Sequence, residues 1–202
     1  SAATYYAVLT QLGFGCILVG TLLYAAAADG DQLTSAPMSD ATRTAVFVLT
    51  LAGFGSKAGL LPLHTWLPRA HPEAPSPVSA LMSAAMVNLG IYDIVRFDVD
   101  MLGPGPTWWS VVLLVIGGAS AVYGVLHACV VADLKRLLAY STTENMGLIA
   151  LALGTALLLT GSDGPAAVAM TAVFVAIIAG LAPLDVIASL ANAGTLCAFV
   201  AE

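Results

Sequence analysis

The stretch AVFVLTLAGFGSKAGLLPLHTWLP, from Ala45 to Pro68, decides the fold class because it is long and apolar yet contains one lysine and an internal proline. Lys57 falls at bilayer depth, where an ionisable side chain costs roughly 2.5–3.5 kcal/mol and is tolerated mainly beside water, a partner or a transport path. Pro62 lacks a backbone N–H and predicts a helix break there. Such breaks beside charges are typical of discontinuous transport helices, so we expect Lys57 to face the bundle interior as a proton site. The alternative is a kinked helix whose lysine snorkels to the interface.

The composition predicts an integral membrane chain. Of 202 residues, 59% are hydrophobic and 9% are charged, whereas about a quarter of the residues of a soluble domain carry charge. The net charge of −6 offers no basic patch, which argues against nucleic acid as a partner and leaves the lipid bilayer as the surrounding medium. The three cysteines lie singly in apolar stretches, so the sequence predicts neither a disulfide framework nor a metal site, and it contains no cofactor or catalytic motif.

Six apolar segments approach the length of about 20 residues that a membrane-spanning helix needs. Short connections rich in Gly, Pro, Asp and Ser separate them. Only helices satisfy the backbone within lipid for segments of this kind. We therefore predict an all-α integral membrane fold with about six transmembrane helices, one of them broken at Pro62. The predicted segments are Tyr5–Ala28, Thr44–Leu61, Val78–Val95, Trp108–Val131, Leu138–Leu159 and Ala166–Leu181.

Two further ionisable side chains are candidates for a proton path. His127 lies in the fourth segment and titrates near neutrality, although a lone histidine in an apolar helix is also typical of a packed, hydrogen-bonded residue. Glu144 lies early in the fifth segment. It is either a carboxylate in the path or a helix-start carboxylate that the macrodipole and Lys135 or Arg136 stabilise.

The connection PLHTWLPRAHPEAPSP contains His64, His71 and Glu73. Their spacing lacks the helix-face pattern of H-E-x-x-H, and five prolines stiffen the segment. We therefore expect these residues to serve loop architecture and partner contact rather than a metal. Lys135 and Arg136, in the connection before the fifth segment, are expected to do the same.

Two motifs carry a family resemblance. GFGSKAGLLPLHTWLPRAHPEAPSPVSALMSAAMVNLGIY resembles the central signature of the antiporter-like, proton-conducting membrane subunits of respiratory complex I, multisubunit cation/proton antiporters and membrane-bound hydrogenases. HPEAPSPVSALMS together with DLKRLLAYSTTENMG looks most like the hydrogenase-4 and formate hydrogenlyase branch. The resemblance covers residues of about 5–154. It implies a subunit without a redox cofactor that moves protons, driven by electron transfer in partner subunits, and it maps the lysine of the family's broken helix onto Lys57.

The sequence departs from the family pattern at three places. Asn88 stands where the family has a second lysine, and Asp93 stands where it usually has glycine. Asp93 either pairs with Arg96 at i, i+3 or forms a new acid near the helix end. Residues 166–202 instead resemble a segment of amino-acid permeases. We therefore expect two regions, a partial antiporter-like domain over 1–161 and a permease-like helical tail over 162–202.

The leading functional hypothesis is a non-catalytic proton-translocating subunit of a redox-driven complex. Lys57 is its expected proton carrier, His127 and Glu144 are expected relays, and Asn88 is a polar bridge that acts through water; Asp93 also belongs to this path. The expected partners are other membrane subunits, and the transported ion is H⁺ or Na⁺. The expected location is a bacterial or archaeal plasma membrane, crossed several times. The alternatives are a non-conducting membrane anchor, which Asn88 favours, and a fragment of an amino-acid carrier.

Overall fold

The computed structural model describes residues 2–27, 38–103 and 105–161. These residues form helices throughout, joined by short turns. The α-helices are α1 (Ala2–Ala27), α2 (Asp40–Ala58), α3 (Leu67–Glu73), α4 (Ser76–Leu81), α5 (Val87–Asp93), α6 (Thr107–Val130) and α7 (Leu134–Gly161).

Five helical stretches among the described residues are long and apolar enough to cross a membrane. They confirm the prediction of an all-α integral membrane protein. The third is continuous because two π-helical stretches, Met82–Met86 and Ile94–Met101, join and extend α4 and α5. The predicted sixth span, Ala166–Leu181, and the tail 162–202 lie outside the described residues. The five stretches are Ala3–Ala27, Asp40–Glu73, Ser76–Met101, Thr107–Val130 and Leu134–Leu159.

The second span is broken, as predicted, but a glycine rather than Pro62 ends its first half. Helix α2 stops at Ala58, and Gly59 adopts the left-handed conformation with φ of 73°. The N–H of Gly59 donates to the carbonyl of Ser56, and the N–H of Leu60 donates to that of Gly55. Glycine reaches this conformation without the steric penalty of a side chain, so it is the natural C-terminal residue of the helix.

Backbone groups at the break find partners inside the protein. The indole Nε1 of Trp66 donates to the carbonyl of Ser56 over 2.8 Å. The N–H of Leu61 donates to the hydroxyl of Ser120 on α6 over 2.9 Å. Irregular backbone at membrane depth requires such partners. The chain then continues as a 3₁₀ turn, Leu63–Trp66, and α3.

We expect the variant Trp66→Phe to lower the free energy of unfolding by about 0.5–1.5 kcal/mol, because it removes the indole donor to the buried Ser56 carbonyl and leaves only the longer bond from the Gly59 N–H. The matched control is Trp108→Phe, since the side chain of Trp108 is 41% exposed whereas that of Trp66 is 1% exposed. The free energy of unfolding of both variants is measured on the full-length protein in detergent, with far-UV circular dichroism following the denaturation. Equal stability of the two variants would contradict the role assigned to the Trp66 indole.

Glycines bring α6 and α7 into close contact. A Cβ atom at Gly124 would lie 2.7 Å from the backbone nitrogen of Glu144, and one at Gly154 would lie 2.7 Å from that of Leu114. Helix α5 contacts α2 equally closely: a Cβ atom at Gly90 would lie 2.6 Å from the backbone nitrogen of Ala58. Small residues at such crossings are typical of helix packing in membranes, where dispersion contacts replace the hydrophobic effect.

Candidate functional site

Lys57 lies at the surface of the described bundle, so the expectation that it faces the interior of this bundle is wrong. Its side chain is exposed, whereas its neighbours Ser56 and Ala58 are buried. The reason is geometric. Ser56 faces α1 and Ala58 faces Gly90 of α5, which leaves Lys57 on the outer side of the last turn of α2.

Asp93 is the acid that the fold places beside Lys57. It ends α5 and is half-buried, and its carboxyl group lies within electrostatic range of the Lys57 ammonium without forming a salt bridge with it among the described residues. The predicted pair between Asp93 and Arg96 does not form. Arg96 instead donates to Asp100 over 3.2 Å, at i, i+4, with both side chains more than half exposed. The other expectation, a new acid near the helix end, is also wrong about position, because the third span continues past Asp93 to Met101.

Asn88 also lies on the outside of the bundle. Its side chain is exposed, and its Nδ2 donates to the carbonyl of Ala84 over 2.6 Å. The amide is thus held against its own helix. A lysine at this position would not be buried by the described residues.

His127 belongs to a partly buried cluster that crosses three elements, which we call the aromatic cluster: His64, Tyr123, His127 and Tyr140. The His127 ring stacks on Tyr123, with centroids 3.9 Å apart, and lies 5.1 Å from the Tyr140 ring of α7. Its Nδ1 lies 3.0 Å from the carbonyl of Tyr123 and therefore carries the hydrogen. The Tyr123 ring also contacts His64 at 4.6 Å.

His64 joins this cluster from the helix break, which corrects its prediction as a loop and partner-contact residue. Its side chain is 6% exposed. The segment after the break folds back as a 3₁₀ turn instead of running along the surface. His64 Nδ1 has no hydrogen-bond partner among the described residues, so one ring nitrogen remains available to water or another polar group.

Glu144 is buried in the middle of α7, where the α6 backbone packs at Gly124. One of its oxygens, Oε2, has no hydrogen-bond partner in the described part of the chain. The alternative of a helix-start carboxylate stabilised by Lys135 or Arg136 is wrong, because Glu144 lies in the third turn of a helix that begins at Leu134. It is a buried carboxyl group on a residue whose backbone packs against α6.

In the described part of the chain, Lys135 and Arg136 form hydrogen bonds that hold the connection before α7. Lys135 Nζ donates to the carbonyl of Ala74 over 2.9 Å and so ties the start of α7 to the end of α3. The Arg136 side chain is exposed, and its backbone N–H donates to the carboxylate of Asp133. Glu73 is exposed at the end of α3.

His71 is buried rather than placed in a loop, and it begins a second polar network. Its side chain is 1% exposed, with Nδ1 2.5 Å from the hydroxyl of Ser79 and Nε2 3.3 Å from that of Ser83. Thr142 of α7 donates to Ser83 over 3.2 Å. The network therefore links α3 to α7 across the third span, and Thr142 precedes Glu144 by two residues.

The fold thus separates the predicted residues into two groups. Lys57, Asp93 and Asn88 lie on or near the outer face of α2 and the third span, whereas His64, His71 and Glu144 are buried and His127 is half-buried. Sequence reasoning missed Tyr123, Tyr140, Ser79, Ser83 and Thr142. The polar run Tyr140–Glu144 in an apolar helix is a signal for Tyr140 and Thr142 alone. Within the described ranges, no three His, Cys, Asp or Glu side chains come together as metal ligands do.

Comparison with known proteins identifies the family. The model of the family described as NADH:quinone oxidoreductase/Mrp antiporter, transmembrane, matches residues 1–187. An uncharacterized protein of Mycobacterium tuberculosis is 66% identical over 182 residues, which are 89% of this chain and 28% of that protein. Hydrogenase-4 component B of Escherichia coli is 43% identical over 162 residues, which are 78% of this chain and 24% of that protein.

A solved structure has the same fold. One chain in the Mrp complex from Dietzia sp. DQ12-45-1b superposes with a TM-score of 0.69 and 27% identity, over 76% of this chain and 29% of that one. This chain spans about a quarter of the length of the two curated relatives. The family match also extends past residue 161, where the motifs predict the end of the antiporter-like region. The chain therefore belongs to the NADH:quinone oxidoreductase/Mrp antiporter transmembrane family.

Proposed function

We propose that this chain is the proton-conducting region of a membrane subunit in a multisubunit, redox-driven assembly of a bacterial plasma membrane. The observation that carries the proposal is the broken second span with Lys57 at its end and Asp93 within electrostatic reach. An amine that a nearby carboxylate stabilises when charged takes up a proton, and it releases that proton when the carboxylate is neutralised or moves away.

In this proposal Lys57 passes protons to groups outside the described bundle. Because the chain spans about a quarter of its curated relatives, the exposed face of α2 is available to further helices of the same protein or to partner subunits. A helix that covers this face would bury Lys57 and Asp93 together. Ionisable groups in membrane proteins face a bundle interior or a watery cavity, and such a helix would complete one.

The interior groups form the inner part of the proposed path. Glu144 and the aromatic cluster contribute two imidazoles, two phenols and a carboxyl group around the contact of α6 and α7. In this proposal, water bridges the gaps of more than 3.5 Å between these groups. His71, Ser79, Ser83 and Thr142 extend the polar interior toward α3.

Partner subunits are proposed from the names of the similar proteins, which are a hydrogenase component and a chain of the Mrp complex. Those partners would supply the driving force. The second candidate function is a non-conducting membrane anchor, favoured by Asn88, whose amide cannot hold a proton near pH 7 and is bound to its own helix.

The experiment that tests this proposal reconstitutes the complete assembly in liposomes and starts electron transfer. A pH-sensitive dye in the lumen reports proton movement, and a sodium-selective dye is used in parallel. We expect a pH change that a protonophore abolishes and that persists without sodium. Electron transfer without any pH change would favour the anchor, and a sodium signal without a primary pH signal would make Na⁺ the transported ion.

A further inference from the structure

A cavity with a mostly apolar lining and a few polar side chains lies among α2, the third span, α6 and α7. Its volume is about 120 Å³, whereas about 10–15 Å³ by this kind of measure accommodates one water. Gly103, Gly105 and Thr107 border it, so it lies beside the connection at one end of the third and fourth spans. The polar side chains that line it include Asp98, Trp109 and Ser110.

Asp98 is the one carboxyl group in this lining, and it is 3% exposed. Its Oδ1 lies 2.5 Å from the hydroxyl oxygen of Thr50, and its Oδ2 has no hydrogen-bond partner among the described residues. The indole Nε1 of Trp109 likewise has none within those ranges. A buried acceptor and a buried donor, both unpartnered in one cavity, mark a place where water completes the hydrogen bonds.

The contacts of Thr50 suit two states of the carboxyl group. Its hydroxyl oxygen also lies 2.7 Å from the carbonyl of Val46, four residues earlier in α2. One hydroxyl proton cannot serve both acceptors fully. When Asp98 is protonated, the carboxyl donates to Thr50, which donates to Val46. When Asp98 is ionised, the Thr50 hydroxyl donates to the carboxylate instead. The Val46 carbonyl then keeps its backbone hydrogen bond within α2.

The charged and titratable groups on the surrounding elements are few. Arg43 of α2 lies over the Trp109 ring, with its Cζ atom 5.4 Å from the centroid, and donates to the carbonyl of Leu102. Tyr24 of α1 packs edge-on against Phe97, next to Asp98 in sequence. On the third span itself, Arg96 and Asp100 pair with each other at the surface. The lining residues of α6 and α7 include no titratable side chain.

We propose that Asp98 is a proton-binding site that exchanges its proton with water held in this cavity. A bare metal cation fits the lining less well, because Trp109 Nε1 presents a hydrogen and Arg43 presents a positive charge on the same side. The site concerns proton binding alone. It does not require that the chain translocate protons, so it stands or fails separately from the proposed function.

Infrared difference spectroscopy of the full-length protein, reconstituted in lipid, tests this site. Spectra recorded at low and high pH are compared between wild type and Asp98→Asn. We expect the wild type to lose a protonated-carboxyl C=O band as pH rises, and we expect Asp98→Asn to lack that band. The control Asp100→Asn, at the exposed pair with Arg96, should retain it. Exchange into D₂O should shift the band, since the proton is shared with water.

The variant Thr50→Val keeps the carboxyl group and removes its hydrogen-bond partner, so it tests the site even where Asp98→Asn does not fold. We expect the same band, shifted to higher frequency. Three results would overturn the proposal: identical pH-difference spectra for wild type and Asp98→Asn, a band in the wild type that D₂O does not shift, or a band that responds to sodium at constant pH and not to pH itself.

Discussion

Replacing Lys57 by methionine in the complete assembly is expected to reduce proton translocation about 100-fold or more, while electron transfer in the partner subunits continues. Methionine has a similar length but cannot bind a proton, and a positioned proton-transfer group contributes about 10²–10⁴-fold to such steps. Lys57→Arg is expected to be nearly as inactive, because a guanidinium keeps its proton. The initial rate of the dye response in liposomes measures both variants.

The matched control is Arg96→Met, which also removes a cation from the outer surface. Arg96 forms an exposed pair with Asp100 and is not part of the proposed path. We expect it to translocate protons at the wild-type rate. Undiminished flux with Lys57→Met would remove this lysine from the mechanism. Activity in Lys57→Arg equal to wild type would mean that the charge of Lys57, and not its proton, is what the protein uses.

Replacing Gly147 by alanine is expected to destabilise the protein by about 1–3 kcal/mol, as overpacking of an interior does. A Cβ atom at Gly147 would lie 2.5 Å from the backbone nitrogen of Ala121 and 2.8 Å from the carbonyl oxygen of Gly117. Backbone atoms cannot relieve the clash by a change of rotamer, so α6 and α7 must separate. That movement also disturbs the aromatic cluster and Glu144, which lie at the same contact.

The control for this prediction is Gly15→Ala on α1, where a Cβ atom meets none of the described residues within 4 Å. Alanine favours a helix over glycine by about 1 kcal/mol, so this variant should be neutral or more stable. Thermal denaturation of the purified protein, followed by the loss of monodisperse material on size exclusion, compares the two. A stabilising Gly147→Ala would show that the close helix contact is absent from the native protein.

The sequence predicted the spans well because the bilayer fixes how many apolar residues a helix needs. The predicted Trp108–Val131, for example, is α6, Thr107–Val130. The sequence predicts the break at Pro62, since proline is the strongest helix breaker in the stretch. The actual end of α2 depends on Gly59, whose left-handed conformation becomes apparent only from the hydrogen bonds around it.

Which side of a helix faces the protein was much harder to predict. Helices α2 and α6 are apolar around most of their surface, so no periodic pattern distinguishes a face toward protein from one toward lipid. The sequence therefore predicts an inward-facing Lys57, although glycine contacts with α1 and α5 leave this side chain on the outer surface. The prolines around His64 and His71 predict a loop, yet the segment folds into the interior.

Asp98 illustrates the same difficulty. In the sequence it stands with Asp100 in DVDMLGPGPT, a stretch that resembles a polar connection. The third span continues through both residues, and the helical turn directs Asp98 into the protein and Asp100 to the surface. Two acids two residues apart on a helix point in different directions, so burial of one was predictable only if the helix was known to extend that far.

The most direct measurement of the central claim, that Lys57 lies on a proton path, is a cryo-electron microscopy structure of the complete assembly at a resolution that shows ordered water. Our account predicts that further helices cover the outer face of α2, that Lys57 Nζ lies within hydrogen-bond distance of a carboxylate or water, and that Asp93 shares that environment. A structure in which the Lys57 side chain contacts lipid acyl chains or reaches the bulk interface, with no polar group of the assembly near it, would contradict the account.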